Sequence, residues 1–160
     1  MRLWLEDTAA TEQLGVALAI SRPPRAVVHL RGDLGAGKST LARALLRTLG
    51  VVGAIRSPTY TLVERYPLPD GGEAMHLDLY RIGDAAELEF LGIDPGEGSL
   101  WLVEWPERGA AGLPPADLQV QLAIEGRGRR GDLLGGTPEG EAWLGRLARM
   151  SQLRELPAPK

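Results

Sequence analysis

Residues 26–50 read AVVHLRGDLGAGKSTLARALLRTLG, and the hydrophobic period changes midway through them. Ala26 to Leu30 is a short apolar run with adjacent β-branched valines, the pattern of a buried, parallel strand. Leu41, Leu45, Leu46 and Leu49 then recur at helical spacing, and Gly50 supplies a stop. Between strand and helix, Gly32 to Ser39 fits G-x-x-x-x-G-K-[ST], the P-loop pattern. Gly35 and Gly37 admit positive φ, so successive backbone N–H groups can crowd a bound anion, and the opening helix adds its positive dipole end. Lys38 has the reach for outer phosphates, and Ser39 offers a hydroxyl to Mg²⁺ beside them. A glycine-rich turn capped by Ser or Thr would share the glycines and bind nothing. With strand, glycines, Lys-Ser and helix all in order, the stretch predicts a nucleotide site.

The whole chain narrows the class. Its 160 residues suffice for one domain with a real core. A net charge of −3 argues against a large basic surface that grips nucleic acid unaided. With zero cysteines there is neither a disulfide framework nor a thiolate zinc site. Glu6 and Asp7 interrupt the N-terminal apolar residues, so no secretory leader is expected, and no apolar run is long enough to span a bilayer. The expectation is a cytoplasmic protein, with residues 1–150 a single P-loop domain and 151–160 a loose tail.

Around the P-loop the elements alternate. Arg2 to Leu5 is a strand candidate, and Thr8 to Ile20 a helix with Leu14, Ala17 and Leu18 on one face. SPTYTLVERYPLPDGGEAMHLDLYRI reads as two strands about a turn at Asp70-Gly71-Gly72. DAAELEFLGID is a short helix with Asp84 as N-cap, and SLWLVEWPE another buried strand. ADLQVQLAIEGRGRRGDLLGG suggests two antiparallel strands, and a final helix runs from about Pro138 to Met150. The class is α/β, a P-loop NTPase-type three-layer fold with a mainly parallel sheet and an antiparallel hairpin addition. Strand order does not follow from the sequence.

Hydrolysis needs a carboxylate near Mg²⁺ and a group that orients water. Glu104 ends the apolar run Leu100 to Val103, at the strand edge where ligands bind in open α/β sheets. The bland alternative is a strand-end glutamate at the solvent boundary. Asp78 lies in MHLDLYR, where His76, Asp78 and Tyr80 alternate with Met75, Leu77 and Leu79, so one strand face is polar. A structural pair between Asp78 and Arg81, or a capped loop, would explain it equally. His76 and His29 alone read as structural histidines. Ser57, Thr59 and Thr61 bring hydroxyls to a stretch that in P-loop proteins responds to the γ-phosphate.

Taken together, GDLGAGKST, SPTYTLVERY, HLDLYR and LVEWPE resemble the bacterial TsaE (YjeE) family over most of the chain, from Thr8 and Thr11 to EGRGRR. The resemblance implies a P-loop ATPase that binds ATP or ADP with Mg²⁺ and works with the partner proteins TsaD and TsaB. Those partners transfer the threonylcarbamoyl group to the adenosine beside the tRNA anticodon. ATP hydrolysis then supports multiple rounds and does not form the carbamoyl bond. On matching positions, Gly32, Asp33, Leu34, Gly35, Ala36, Gly37, Lys38, Ser39 and Thr40 form the nucleotide loop, and Thr8, Thr11 and Arg129 lie near the nucleotide. Ser39 and Glu104 serve the metal, and Lys38, Asp78 and Glu104 carry catalysis. Ser39 replaces the Thr of many members and keeps the hydroxyl. Slow hydrolysis by the free chain is expected, with the SPTYTLVERY loop ordered only on a partner, and tRNA met only through the complex.

Three other classes share the P-loop. A small-molecule kinase would need an acceptor pocket and an arginine-rich lid, and the dense cluster GRGRR falls in the late hairpin. A GTPase commonly reads guanine with Asn-Lys-x-Asp, and this sequence has no asparagine; its DxxG at Asp132 to Gly135 reads as a turn. An adaptor that retains nucleotide without turnover is compatible with the same residues.

Overall fold

Strand β2 (Ala26–Arg31) lies in the middle of the sheet because its residues are apolar on both faces. The computed structural model describes residues 1–154 and 156. It arranges β1 (Arg2–Leu5), β2, β3 (Val63–Pro67), β4 (Glu73–Asp78), β5 (Leu100–Glu104), β6 (Leu118–Glu125) and β7 (Gly128–Gly135) in the order β1-β7-β6-β2-β5-β4-β3. The run β6-β2-β5-β4 is parallel. Antiparallel partners flank it: β7 and then β1 on one side, β3 on the other. The α/β class with a parallel centre and antiparallel additions is thus the observed one. Both expected hairpins form, and β6 belongs to its hairpin and to the parallel centre at once.

Alternation along the strands builds two cores. Leu100 and Leu102 join Val28, Leu30, Leu118 and Val120 beneath helices α1 (Thr8–Ser21) and α2 (Lys38–Thr48). Trp101 and Val103 point the other way, joining Met75, Leu77, Leu79, Ile82 and Leu88 beneath the 3₁₀ helix Ala85–Leu91. Asp84 caps that helix by accepting from the Ala86 N–H, as its sequence suggests. The two long helices cross closely at Gly15, where a Cβ would lie 2.7 Å from the Leu41 carbonyl oxygen.

Helix α3 (Pro138–Leu147) is shorter than the expected Pro138–Met150. Its N-cap, Thr137, accepts from Gly140 N–H and donates to Asp117, whose other oxygen takes the Val27 N–H. Trp143 is fully buried and donates through Nε1 to Ser21 Oγ at 2.9 Å. Part of the supposed loose tail is ordered: Ser151–Arg154 form α4, and Leu153 is buried in the first core because an apolar residue there completes the cover over α1. Residues 155 and 157–160, the rest of that tail, lie outside the described residues. Among the described residues no helix is long and apolar enough to cross a membrane.

Candidate nucleotide site

Two neighbouring parallel strands end in carboxylates. Asp78 and Glu104 are the last residues of β4 and β5 and face each other in the ladder, and Glu104 is also paired with Leu30 of β2. The P-loop starts two residues beyond Leu30, so its helix begins over that carboxylate edge. Gly32, Gly35 and Gly37 have φ of 143°, 79° and 108°, and Gly37 is the N-cap of α2. Gly32 is also a packing glycine, since a Cβ there would sit 2.4 Å from the Leu122 carbonyl oxygen.

These elements enclose a pocket of about 210 Å³ lined by the P-loop, Thr59, Asp78, Glu104, Trp105 and Arg129. Ser39 Oγ donates to the Glu104 carboxylate, 3.1 Å from Oε1 and 3.2 Å from Oε2. Glu104 is 2 % exposed and Asp78 6 %. Thr59 Oγ1 donates to Asp78 Oδ2 at 3.2 Å, and the Tyr80 N–H donates to Oδ1 at 3.0 Å. Lys38 is buried, its ammonium donating to the carbonyls of Gly32 and Asp33 at 2.6 and 2.9 Å and lying 4.7 Å from the Trp105 ring centre. Burial pushes its pKa down, while Glu104 and Asp78 pull the other way.

The expected residues are not all in one place. Leu34, Gly35, Gly37, Lys38, Ser39, Thr40, Asp78, Glu104 and Arg129 line the pocket, whereas Gly32, Asp33 and Ala36 shape the loop behind it. Arg129 reaches in from β7: its Nη2 is 3.5 Å from the Gly35 carbonyl, and its Nε is buried without a partner beside Gly37. Thr11 is buried, bonded to the Asp7 carbonyl with its methyl toward Gly37. Thr8 stands exposed at the start of α1 and does not line the pocket. In the loop of Ser57, Thr59 and Thr61, Thr59 bonds Asp78 in the site, and Thr61 donates to Glu64. Asp78 is not paired with Arg81, which stacks over Tyr60 at 4.3 Å and does not line the pocket.

The contacts of two residues, His76 and Trp105, do not follow from the sequence. His76, read as structural, contacts Glu104, and its position on the polar face of β4 was the available signal. Trp105, in the left-handed region at φ 56°, connects Lys38 to Tyr80 and, through it, Arg108. His29 lies away from the pocket; burial lowers its pKa and Arg31 adds to the effect. A larger groove of about 520 Å³ lies over Arg2, Arg31, Gln121 and Leu134, where Asp132 is taken by Arg2 and Arg130. The DxxG segment is thereby part of β7 and not a separate turn.

The family model "Threonylcarbamoyl adenosine biosynthesis protein TsaE" matches residues 5–131. The chain belongs to the TsaE family. Relatives bearing the name "tRNA threonylcarbamoyladenosine biosynthesis protein TsaE" support the membership. That of Haemophilus influenzae is 44 % identical over 117 residues, covering 72 % of this chain and 73 % of the relative. That of Aquifex aeolicus is 40 % identical over 128 residues, 79 % and 89 % of the two chains. The crystal structure of Bacillus subtilis YdiB superposes with a TM-score of 0.76 over 93 % of this chain and 94 % of its own; at 24 % identity it speaks for the fold. The TsaE match ends within β7, just past Arg129.

Proposed function

We propose that this TsaE-family chain is a Mg²⁺-dependent ATPase that acts with TsaB and TsaD in threonylcarbamoyl modification of the tRNA adenosine beside the anticodon. The observation that carries the reading is the meeting of Ser39 and Glu104 at the mouth of a P-loop, with Asp78 one strand away. The residues fit a phosphate chain. Gly35 and Gly37 hold a backbone that side chains resist, and the buried, unpartnered Arg129 Nε beside Gly37 suits an anion. They also fit Mg²⁺. Among the described residues no cluster of three or more His, Cys, Asp or Glu could hold a metal, and Mg²⁺ beside phosphates needs only one or two protein oxygens. Ser39 Oγ and Glu104 would hold it. When bound, the ion neutralises charge on the phosphates.

The protein's own groups then divide the work. P-loop amides and Lys38 bind phosphate; Lys38 has three N–H donors, two of them on loop carbonyls. Asp78 keeps lone pairs beyond those taken by Thr59 and Tyr80 N–H, so it can accept from and orient a water. Trp105 covers the lysine and keeps bulk water from it. Arg129 is the arginine that lines the pocket; Arg81 stacks on Tyr60 away from it, so any further charge-stabilising group or closure would come from a partner. Tyr60 and Leu34, 78 % and 64 % exposed near the site, leave that side open to docking.

Steady-state ATP hydrolysis by the chain alone and with TsaB–TsaD tests this. Weak turnover alone and strong stimulation by the pair is the expected result. Equal rates would remove the assembled-site mechanism, and phosphate transfer to a small metabolite would point to a kinase.

A further inference from the structure

We infer that His76 is a positioning residue for the Glu104 carboxylate, an inference that rests on the nucleotide reading above. His76 pairs with Leu102 in the β4–β5 ladder, one step behind Asp78 and Glu104 on the same sheet face. Its ring therefore reaches Glu104 diagonally. Nε2 lies 2.6 Å from Oε2, with the two side chains 2 % and 3 % exposed. The other ring nitrogen, Nδ1, is buried with no hydrogen-bond partner.

Of the two neutral tautomers, that asymmetry selects the one with its proton on Nε2. With the proton on Nε2, the ring donates to the carboxylate and leaves only an acceptor unpaired. With the proton on Nδ1, a buried N–H is stranded and two acceptors oppose each other at the 2.6 Å contact. Glu104 is thus held from two sides: Oε2 by His76 and Ser39, Oε1 by Ser39 alone. His76 does not line the pocket, so it acts through Glu104 and not on a ligand. Without it, a buried carboxylate would keep a single holder, and the orientation it presents beside Ser39 would be lost. Outer-shell hydrogen bonds of this kind typically set metal affinity by roughly 10- to 100-fold.

The test compares ADP affinity with and without Mg²⁺, by calorimetry, in the full-length wild type, His76→Leu and His76→Gln. The glutamine amide can donate as the imidazole does; leucine cannot. The expected outcome is that His76→Leu loses roughly 10- to 100-fold of the Mg²⁺-dependent gain while Mg²⁺-free ADP affinity holds, and that His76→Gln restores most of it. A residue that merely supports the fold would lower the melting temperature and leave the Mg²⁺ gain intact; that result, or equal losses in both variants, overturns the inference. Wild type that binds ADP with no Mg²⁺ gain would instead sink the metal assignment, and the inference with it. Should His76→Leu fail to fold, nitrogen NMR of wild-type His76 decides: an Nε2–H ring whose resonance moves on adding Mg²⁺–ADP supports the role, and an Nδ1–H ring or an unresponsive one overturns it.

Discussion

Glu104 acquires its chemistry from being the last residue of an apolar strand. Four hydrophobic residues carry β5 through the core, and the fifth emerges beside Ser39 and His76. On the proposed function, its carboxylate and that of Asp78 would take separable roles. Glu104→Gln is expected to abolish the Mg²⁺ contribution to ADP binding, read by calorimetry, because a neutral amide is a poor ligand for a hard cation. Asp78→Asn is expected to keep nucleotide affinity while kcat in the assembled complex falls by roughly 10² to 10⁴. An Asp78→Asn protein with normal turnover would show that the aspartate serves only to hold Thr59 and Tyr80 N–H. The carboxylates were legible in sequence because strand-end position and alternation are local properties. The histidine's contact was not, because Nε2 meets Glu104 only when β4 and β5 are laid side by side.

Among the elements, two small residues of α1 set its packing: Gly15 against α2, the P-loop helix, and Ser21 against α3. Gly15 has backbone, not a flexible tip, at 2.7 Å from where a Cβ would stand. Gly15→Ala should force the helices apart and destabilise the fold by about 1–3 kcal/mol, despite alanine's better helix propensity, as a drop in the denaturation midpoint would record. At the far end of α1, Ser21 Oγ accepts from the Trp143 indole and donates to the Ala17 carbonyl, while Arg146 bonds the Ser21 carbonyl. Ser21→Ala strands a buried indole N–H and is expected to cost about 1–3 kcal/mol in chemical denaturation. Sequence periodicity located both helices. It did not locate their crossing, since a glycine inside a helical pattern gives no sign of which neighbour comes close.

On the scale of the whole molecule, β1 closes one sheet edge by pairing with β7, and an ion pair adds to that backbone ladder. Asp132 of β7 bonds Arg2 and Arg130; burial alone would raise its pKa, but the two guanidiniums outweigh it and hold the carboxyl below its usual range. A depressed native pKa means stability present above the ordinary aspartate value and lost as pH falls through the lowered one. The melting temperature should therefore drop below about pH 4, and Asp132→Asn should lessen that drop; an identical acid profile would deny the pair any part in edge stability. The sequence by itself determined the α/β class, the strand–loop–helix unit of residues 26–50, the two hairpins and the TsaE likeness. Each is written in local period, turn chemistry or motif spacing, which a linear reading captures. Only the tertiary structure decided the order β1-β7-β6-β2-β5-β4-β3, the reach of Arg129 from β7 to the P-loop, the hold of His76 on Glu104 and the exclusion of Thr8 from the pocket. Those depend on which distant segments become neighbours, and that is settled by burying two apolar sheet faces at once, a condition no single stretch of sequence contains.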